Sequence, residues 1–342
     1  MKTISSIILM ILIFITGCGQ KNSRVAAITE AFQTDRNEPA NIDSPAVWHG
    51  PDGQHWLIAT AKSADALYID DAVTGKRIQI FGKSGNQPGE LAYPNGISVL
   101  GDNLFVVERD NRRVQVFHLP DFESVGIIGE TLINPYGLYV YKDSADVCHL
   151  YVTDNYQDGE DSIPPLAELN RRVHHYRFKI DGDTLISELA STFGDTTDAG
   201  ALRIVESIYG DPENNRLMIA EEDVSRSAVK VYDLDGNFTG ISLGHDVFKN
   251  QAEGIALSAS EDGAGYWILT DQSHKANCFH LFSRKDLIYC GSFYGPKTTN
   301  TDGIWLTQES FGPFPKGAFY AVHNDGNVSA FDWEEIARHV SL

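Results

Sequence analysis

The chain has 342 residues, 42% of them hydrophobic, and a net charge of −20 from 47 acidic against 27 basic residues. That is ample apolar material for a large core, and the acidic excess excludes nucleic acid and argues against anionic membrane surfaces as partners. A polyanionic ligand is repelled as well, unless metal ions reverse the local sign.

Residues 1–17 stand apart from the fold. Lys2 is followed by an apolar run over 7–16 and then by Ile15-Thr16-Gly17-Cys18. This reads as a signal peptide ending in a bacterial lipobox, and it implies an extracytoplasmic setting. In the lipoproteins that this leader resembles, cleavage falls before Cys18 and the Cys18 sulfur is lipidated. Gly19 resembles the following residue of lipoproteins sorted to the outer membrane. The expected localisation is therefore the bacterial cell envelope, with a lipid anchor at Cys18. Residues 18–42 read as a linker and an entry strand, with Ala26-Ala27-Ile28 as the apolar cluster. The remaining cysteines, Cys148, Cys278 and Cys290, are expected as buried free thiols. Cys278 and Cys290 flank a hairpin near Arg284, so a disulfide between them is the alternative.

From 43 to 342 one pattern recurs. A small or polar start leads into a short apolar strand, then a turn, a second apolar strand and an outer hairpin. The starts are at 44–48, 95–99, 136–140, 206–209, 253–257 and 302–306. From Gly96 the steps to Gly137, Ser207, Gly254 and Gly303 are 41, 70, 47 and 49 residues. A repeat of about 40–50 residues with four strands per unit predicts an all-β fold, a six-bladed β-propeller. The long step holds an insertion over 157–171, with Pro164-Pro165 marking a loop and Asp158-Gly159-Glu160-Asp161 a solvated acidic stretch. A helix is expected at Trp333-Glu334-Glu335-Ile336-Ala337-Arg338, and the propeller is expected to be a monomer.

In such a fold the first strands line a central channel, so unit starts converge at one end of it. Those positions hold Asp43, Tyr136, Glu206, Glu253 and Asp302. The second strands end nearby in Lys62, Arg109 and Glu222. Leu217-Met218-Ile219-Ala220 is a buried strand running into Glu221-Glu222-Asp223, and a hairpin carries Glu206 toward Glu222. Several carboxylates on one rim ionise together only when cations sit between them. A lone carboxylate before a loop is as readily a cap for backbone amides. Function is favoured for Glu206, Glu222 and Glu253 together.

These residues resemble the β-propeller phytases, calcium-dependent phosphatases of myo-inositol hexakisphosphate. Asp43-Ser44-Pro45-Ala46-Val47-Trp48 is similar to that family's opening. Ile58-Ala59-Thr60-Ala61-Lys62, Pro135-Tyr136-Gly137, Ile219-Ala220-Glu221-Glu222-Asp223, Ala252-Glu253-Gly254, Thr301-Asp302-Gly303-Ile304 and Phe314-Pro315-Lys316-Gly317 resemble its later motifs. The resemblance implies several Ca²⁺ ions held by Asp43, Glu206, Glu222, Glu253 and Asp302. It implies Glu206, Glu222 and Glu253 as the catalytic carboxylates. Lys62, Arg109 and Tyr136 would bind a small phosphorylated substrate such as phytate. The chain departs from the family at Ser44, Gln251, Asn155 and Ser207, losing two carboxylates and one cation.

Two other classes compete. Phe81-Gly82-Lys83, Pro94-Asn95-Gly96-Ile97 and Asn111-Arg112-Arg113-Val114 also resemble NHL-type propellers, which are often non-catalytic binding platforms. A lactonase-like propeller with one metal ion is the other. Gly240-Ile241-Ser242-Leu243-Gly244 has the spacing of a nucleophile elbow but falls on an expected outer strand. Asp233-Leu234-Asp235-Gly236 reads as a hairpin turn. His174 and His175 point to opposite faces of one strand and cannot share a metal.

Overall fold

The computed structural model describes residues 25–159, 162–182 and 184–340. The lipidation expected at Cys18 lies outside the described residues, as do Glu160 and Asp161 of the acidic insertion.

Six antiparallel sheets form a six-bladed β-propeller. The inner strands are Ile42–His49, Pro94–Leu100, Pro135–Lys142, Val205–Asp211, Gln251–Ala259 and Ile304–Thr307, and each touches the next around a closed circle. The second strands are buried almost throughout: His55–Ala61, Asn103–Glu108, Cys148–Asp154, Arg216–Glu221, Gly265–Gln272 and Ala318–His323. Sheets covered on both faces need near-continuous apolar runs rather than strict alternation, and these strands supply them. Between blades the cores are aromatic and aliphatic. Trp48, Leu67, Leu104 and Phe117 fill one wedge, while Phe279, Phe293, Phe319 and Phe331 fill another.

The start of the propeller differs from expectation. Val25–Ala27 joins blade 5 as a fifth, parallel strand beside Tyr289–Tyr294. Phe32–Gln33 pairs with Asn327–Asp332 as the outermost strand of blade 6. The entry strand is thus two strands, and the sheets begin at Val25 rather than at Asp43. Residues from the two ends of the described chain thus make up one blade, with Phe32–Gln33 covering the edge of Asn327–Asp332.

Other expectations hold. The helix spans Trp333–Val340, and Gly240 to Leu243 lie on the outer strand Phe238–Leu243. Asp233 to Gly236 form a hairpin turn, with the Asp233 carboxylate accepting from Asn237 N. His174 reaches Thr131 and Asp154, whereas His175 reaches His149, so the two do point apart. Cys148, Cys278 and Cys290 are free, as expected, but none is buried: Cys148 and Cys278 are half-buried and Cys290 is exposed.

Candidate functional site

At five inner strands the ladder to the second strand slips at the same place. The slips fall between Ile42 and Pro45, Pro94 and Ile97, Pro135 and Leu138, Val205 and Ile208, and Ala252 and Ile255. A bulge takes a residue out of the alternation and re-aims its side chain. The residues re-aimed are Asp43, Asn95, Tyr136, Glu206 and Glu253, and Asp302 holds the matching place ahead of Ile304–Thr307. Each is followed by Gly or Ser. Gly303 N donates to Asp43 O at 2.9 Å, and a Cβ on Gly303 would lie 2.6 Å from that oxygen. Glycine here lets neighbouring inner strands meet backbone to backbone, which draws the six side chains onto one narrow circle.

A second circle sits at the end of each second strand, just past the last paired residue in five blades and at the last paired residue, Gln272, in blade 5. It holds Lys62, Arg109, Asn155, Glu222, Gln272 and Asn324. Apart from Gln272, which stays in the ladder opposite Gln251, their amides tie to the loops entering each blade, as in Lys62 N to Asn41 O at 2.9 Å and Glu222 N to Ile204 O at 3.0 Å. The residue just before is a buried carboxylate in four blades: Glu108, Asp154, Glu221 and Asp271. These cap entering loops. Asp154 accepts from Ile133 N at 2.9 Å and Asn134 N at 2.7 Å, and Glu221 accepts from Arg203 N at 2.7 Å. The three carboxylates 221–223 therefore do not emerge together. Glu221 caps a loop, Glu222 enters the site, and Asp223 caps the next turn through Ser225 N.

Glu206, Glu222 and Glu253 each bring a carboxylate oxygen within 4.8 Å of the others. Glu222 and Glu253 are buried, while Glu206 keeps partial contact with solvent. Burial first, then Glu206, Glu253 and Asp302, push the Glu222 carboxyl well above the ordinary range. Glu253 is raised by burial and by Glu206, Asp302 and Asp43. Burial and Asp43 push Glu206 up to about 8, against the pull of Lys62, Tyr136 and Arg109. One Glu222 oxygen (Oε1) and one Asp302 oxygen (Oδ2) are buried without a hydrogen-bond partner.

Beside the trio lies a cationic half. Lys62 Nζ stands 2.6 Å from Asp43 Oδ1 and donates to Tyr136 OH at 3.3 Å. Burial alone would lower the Lys62 pKa, but Asp43, Asp302 and Glu206 together raise it, so the ammonium stays charged. Gln272 Nε2 donates to Asp302 Oδ1 at 2.6 Å, and Ser44 Oγ donates to Asp43 Oδ2 at 2.9 Å. Arg109 sits at the rim, with its guanidinium 3.5 Å from the centre of the Tyr93 ring and 2.8 Å from Asp110.

The structure thus gathers Asp43, Lys62, Tyr136, Glu206, Glu222, Glu253 and Asp302 at one mouth. Arg109 occupies its repeat position but turns to Tyr93 and Asp110. Gln272, Asn95 and Asn324 were not singled out from the sequence. Their positions after the second strand or at the unit start were the available signal. Asn95 is fully buried, with neither side-chain polar atom partnered. No family model matches this chain, and none of the curated proteins matches it.

Proposed function

We propose that this propeller is a calcium-dependent hydrolase of phosphomonoesters, acting on phytate or a related phosphorylated compound at the bacterial cell envelope. One observation carries the reading: the carboxylate trio within 4.8 Å shares its mouth with a charged, buried lysine. The donor set fits calcium. All ligating atoms are hard oxygens, and the partnerless Glu222 Oε1 is what a cation would satisfy. Glu206, Glu222 and Glu253 would hold one ion, and Asp43 and Asp302 are near enough to interact electrostatically with the trio. Bound calcium supplies charge neutralisation on the phosphate oxygens and a more acidic water.

The chain's own residues do the rest. Once ionised, the five carboxylates outnumber the two side-chain cations, so a phosphate is repelled unless a cation stands between them. Lys62 is held in place by Asp43 and Tyr136 before substrate arrives, so little side-chain entropy is lost on binding. The Tyr136 phenol, kept protonated by burial and by Glu206, is a donor for a phosphate oxygen. Arg109, stacked flat on Tyr93, offers a planar fork to a second oxygen or a second phosphate at the rim.

A second reading has one observation in its favour. Lys62 already engages Asp43 and Gln272 engages Asp302, which leaves a single trio for a single ion. That is the arrangement of a one-metal, lactonase-like propeller. The deciding experiment measures phosphate release from phytate with calcium and with chelator. Calcium-dependent release should disappear in Glu222→Ala while the far-UV spectrum stays unchanged. Full activity in a folded Glu222→Ala protein would remove the assignment. A one-to-one calcium stoichiometry with no phosphate release would favour the second reading.

A further inference from the structure

We propose that the outer half of blade 4 carries a second, separate binding site, which holds the phosphate or carboxylate group of a small organic anion beside Lys230 and the body of that anion on the Phe238 ring. This goes beyond the phosphomonoester reading and does not rest on it. The site is a cavity of about 730 Å³, a size ordinary for small-molecule pockets. Asp198, Ala199, Arg226, Lys230, Phe238 and Ser242 line it, and none of the carboxylates at the mouth does.

The first argument is a break in the repeat. Lys230 occupies a third-strand position that recurs from blade to blade, opposite the second-strand residue that lies two before the buried carboxylate. Gln115 faces Val106, His174 faces Val152, His280 faces Leu269 and Lys230 faces Ile219. In three of these blades the side chain is spent on that carboxylate. Gln115 Nε2 donates to Glu108 at 3.0 Å, and His174 and His280 lie 3.4 Å from Asp154 and Asp271. Blade 4 differs. Glu221 accepts from the amides of Arg203, Ile204 and Asp223, while Lys230 Nζ donates to Ala199 O at 2.7 Å instead. The support that this position gives elsewhere is not what holds the lysine here.

The second argument is charge. Lys230 is 5% exposed, and among the described residues it forms no ion pair. Lysine is seldom buried without a partner. Its ammonium has three donors, of which the Ala199 carbonyl takes one. The nearby carboxylates are committed, since Asp198 already holds Arg203 at 2.7 Å and Arg226 at 2.9 Å. Burial lowers the Lys230 pKa, Glu221 opposes this, and Arg203 and Arg226 lower it further. In a protein of charge −20, three cations thus gather around one exposed carboxylate. An oxyanion in the cavity would accept the free Lys230 donors and supply the missing counter-charge.

The third argument is what surrounds the lysine. The half-buried Phe238 ring has its centre 5.9 Å from Nζ, and Ser242, paired with Lys230 across the ladder, adds a hydroxyl. A cation, a hydroxyl and an aromatic face side by side suit a molecule with one oxyanion and an apolar, ring-like body.

The test titrates the full-length protein by isothermal calorimetry with phenylphosphonate, benzoate and neutral benzyl alcohol, with calcium chelated so that no ion bridges an anion to the mouth. At least one of the two acids should bind at one site per chain, and benzyl alcohol should not; the tighter acid tells a phosphate site from a carboxylate site. Lys230→Met should keep the far-UV spectrum and weaken the acid about tenfold or more, the loss of a charge-assisted hydrogen bond. Phe238→Leu should weaken it severalfold, and this variant carries the test if Lys230→Met does not fold. No binding of either acid by the parent, equal binding of benzyl alcohol, or an affinity unchanged in either folded variant would each overturn the proposal.

Discussion

Replacing Glu206 by Gln tests the electrostatics of the mouth without touching its shape. In the metal-free protein, burial and Asp43 lift the Glu206 carboxyl from an ordinary 4.5 to about 8. A carboxyl with a raised folded pKa binds its proton more tightly in the folded state. Its contribution to stability is full below pH 4.5 and is lost as pH rises through about 8. At 1.36 kcal/mol per unit the shift corresponds to about 5 kcal/mol. Partial solvent contact at the mouth discounts this to about 2 kcal/mol. Histidines act in the opposite direction. Burial and the neighbouring His149 lower His175 to about 4, so stability rises with pH from about 4 to 6.5 on its account. The informative quantity is therefore the difference between the parent protein and Glu206→Gln. With chelator present, urea midpoints at pH 5 and pH 8 should show the parent losing about 2 kcal/mol relative to the variant. Calcium at pH 8 should restore the parent and do little for Glu206→Gln. Identical pH profiles for the two proteins in chelator would refute the reasoning.

Two further outcomes follow from the same geometry. Lys62→Ala leaves Asp43, 2% exposed, without its partner. The expected loss is about 3–5 kcal/mol, read as a lower thermal midpoint that calcium partly recovers; an unchanged midpoint would mean the ion pair is inert. Gly137→Ala places a methyl group against the Glu206 carbonyl oxygen, well inside contact distance. Overpacking of this kind costs about 1–3 kcal/mol. Because the displaced backbone carries Glu206, calcium affinity measured by titration calorimetry should fall together with stability.

The propeller was legible because its repeat is long and its strands are strongly apolar. Each unit start announces itself by a Gly or Ser, and the structure shows why, since the adjoining backbone leaves no room for more. The N-terminal strands were harder to read. Val25–Ala27 and Phe32–Gln33 are three and two residues long, too short for any periodicity. Their pairing is set by blades roughly 270–300 residues further along the chain, which local sequence cannot express. Arg109 shows the same limit. Its place in the second circle follows from the repeat, but its stacking on Tyr93 depends on how a neighbouring loop lies.

The run Glu221-Glu222-Asp223 shows what decides between capping and chemistry. In sequence the three carboxylates are interchangeable. In the sheet Glu221 is the last residue paired with Val205, so its side chain turns to the loop amides of Arg203 and Ile204. Glu222 is one step further, where alternation carries the next side chain to the other face and so into the channel. The neighbouring polar residues follow the same logic. Ser44 donates to Asp43, and Asn155 accepts from Val205 N, so both spend their polar atoms inside the mouth, and these bonds do not draw on the Glu206–Glu222–Glu253 trio. If the proposed reaction runs on calcium, this trio, with Lys62 beside it, sets how many ions take part.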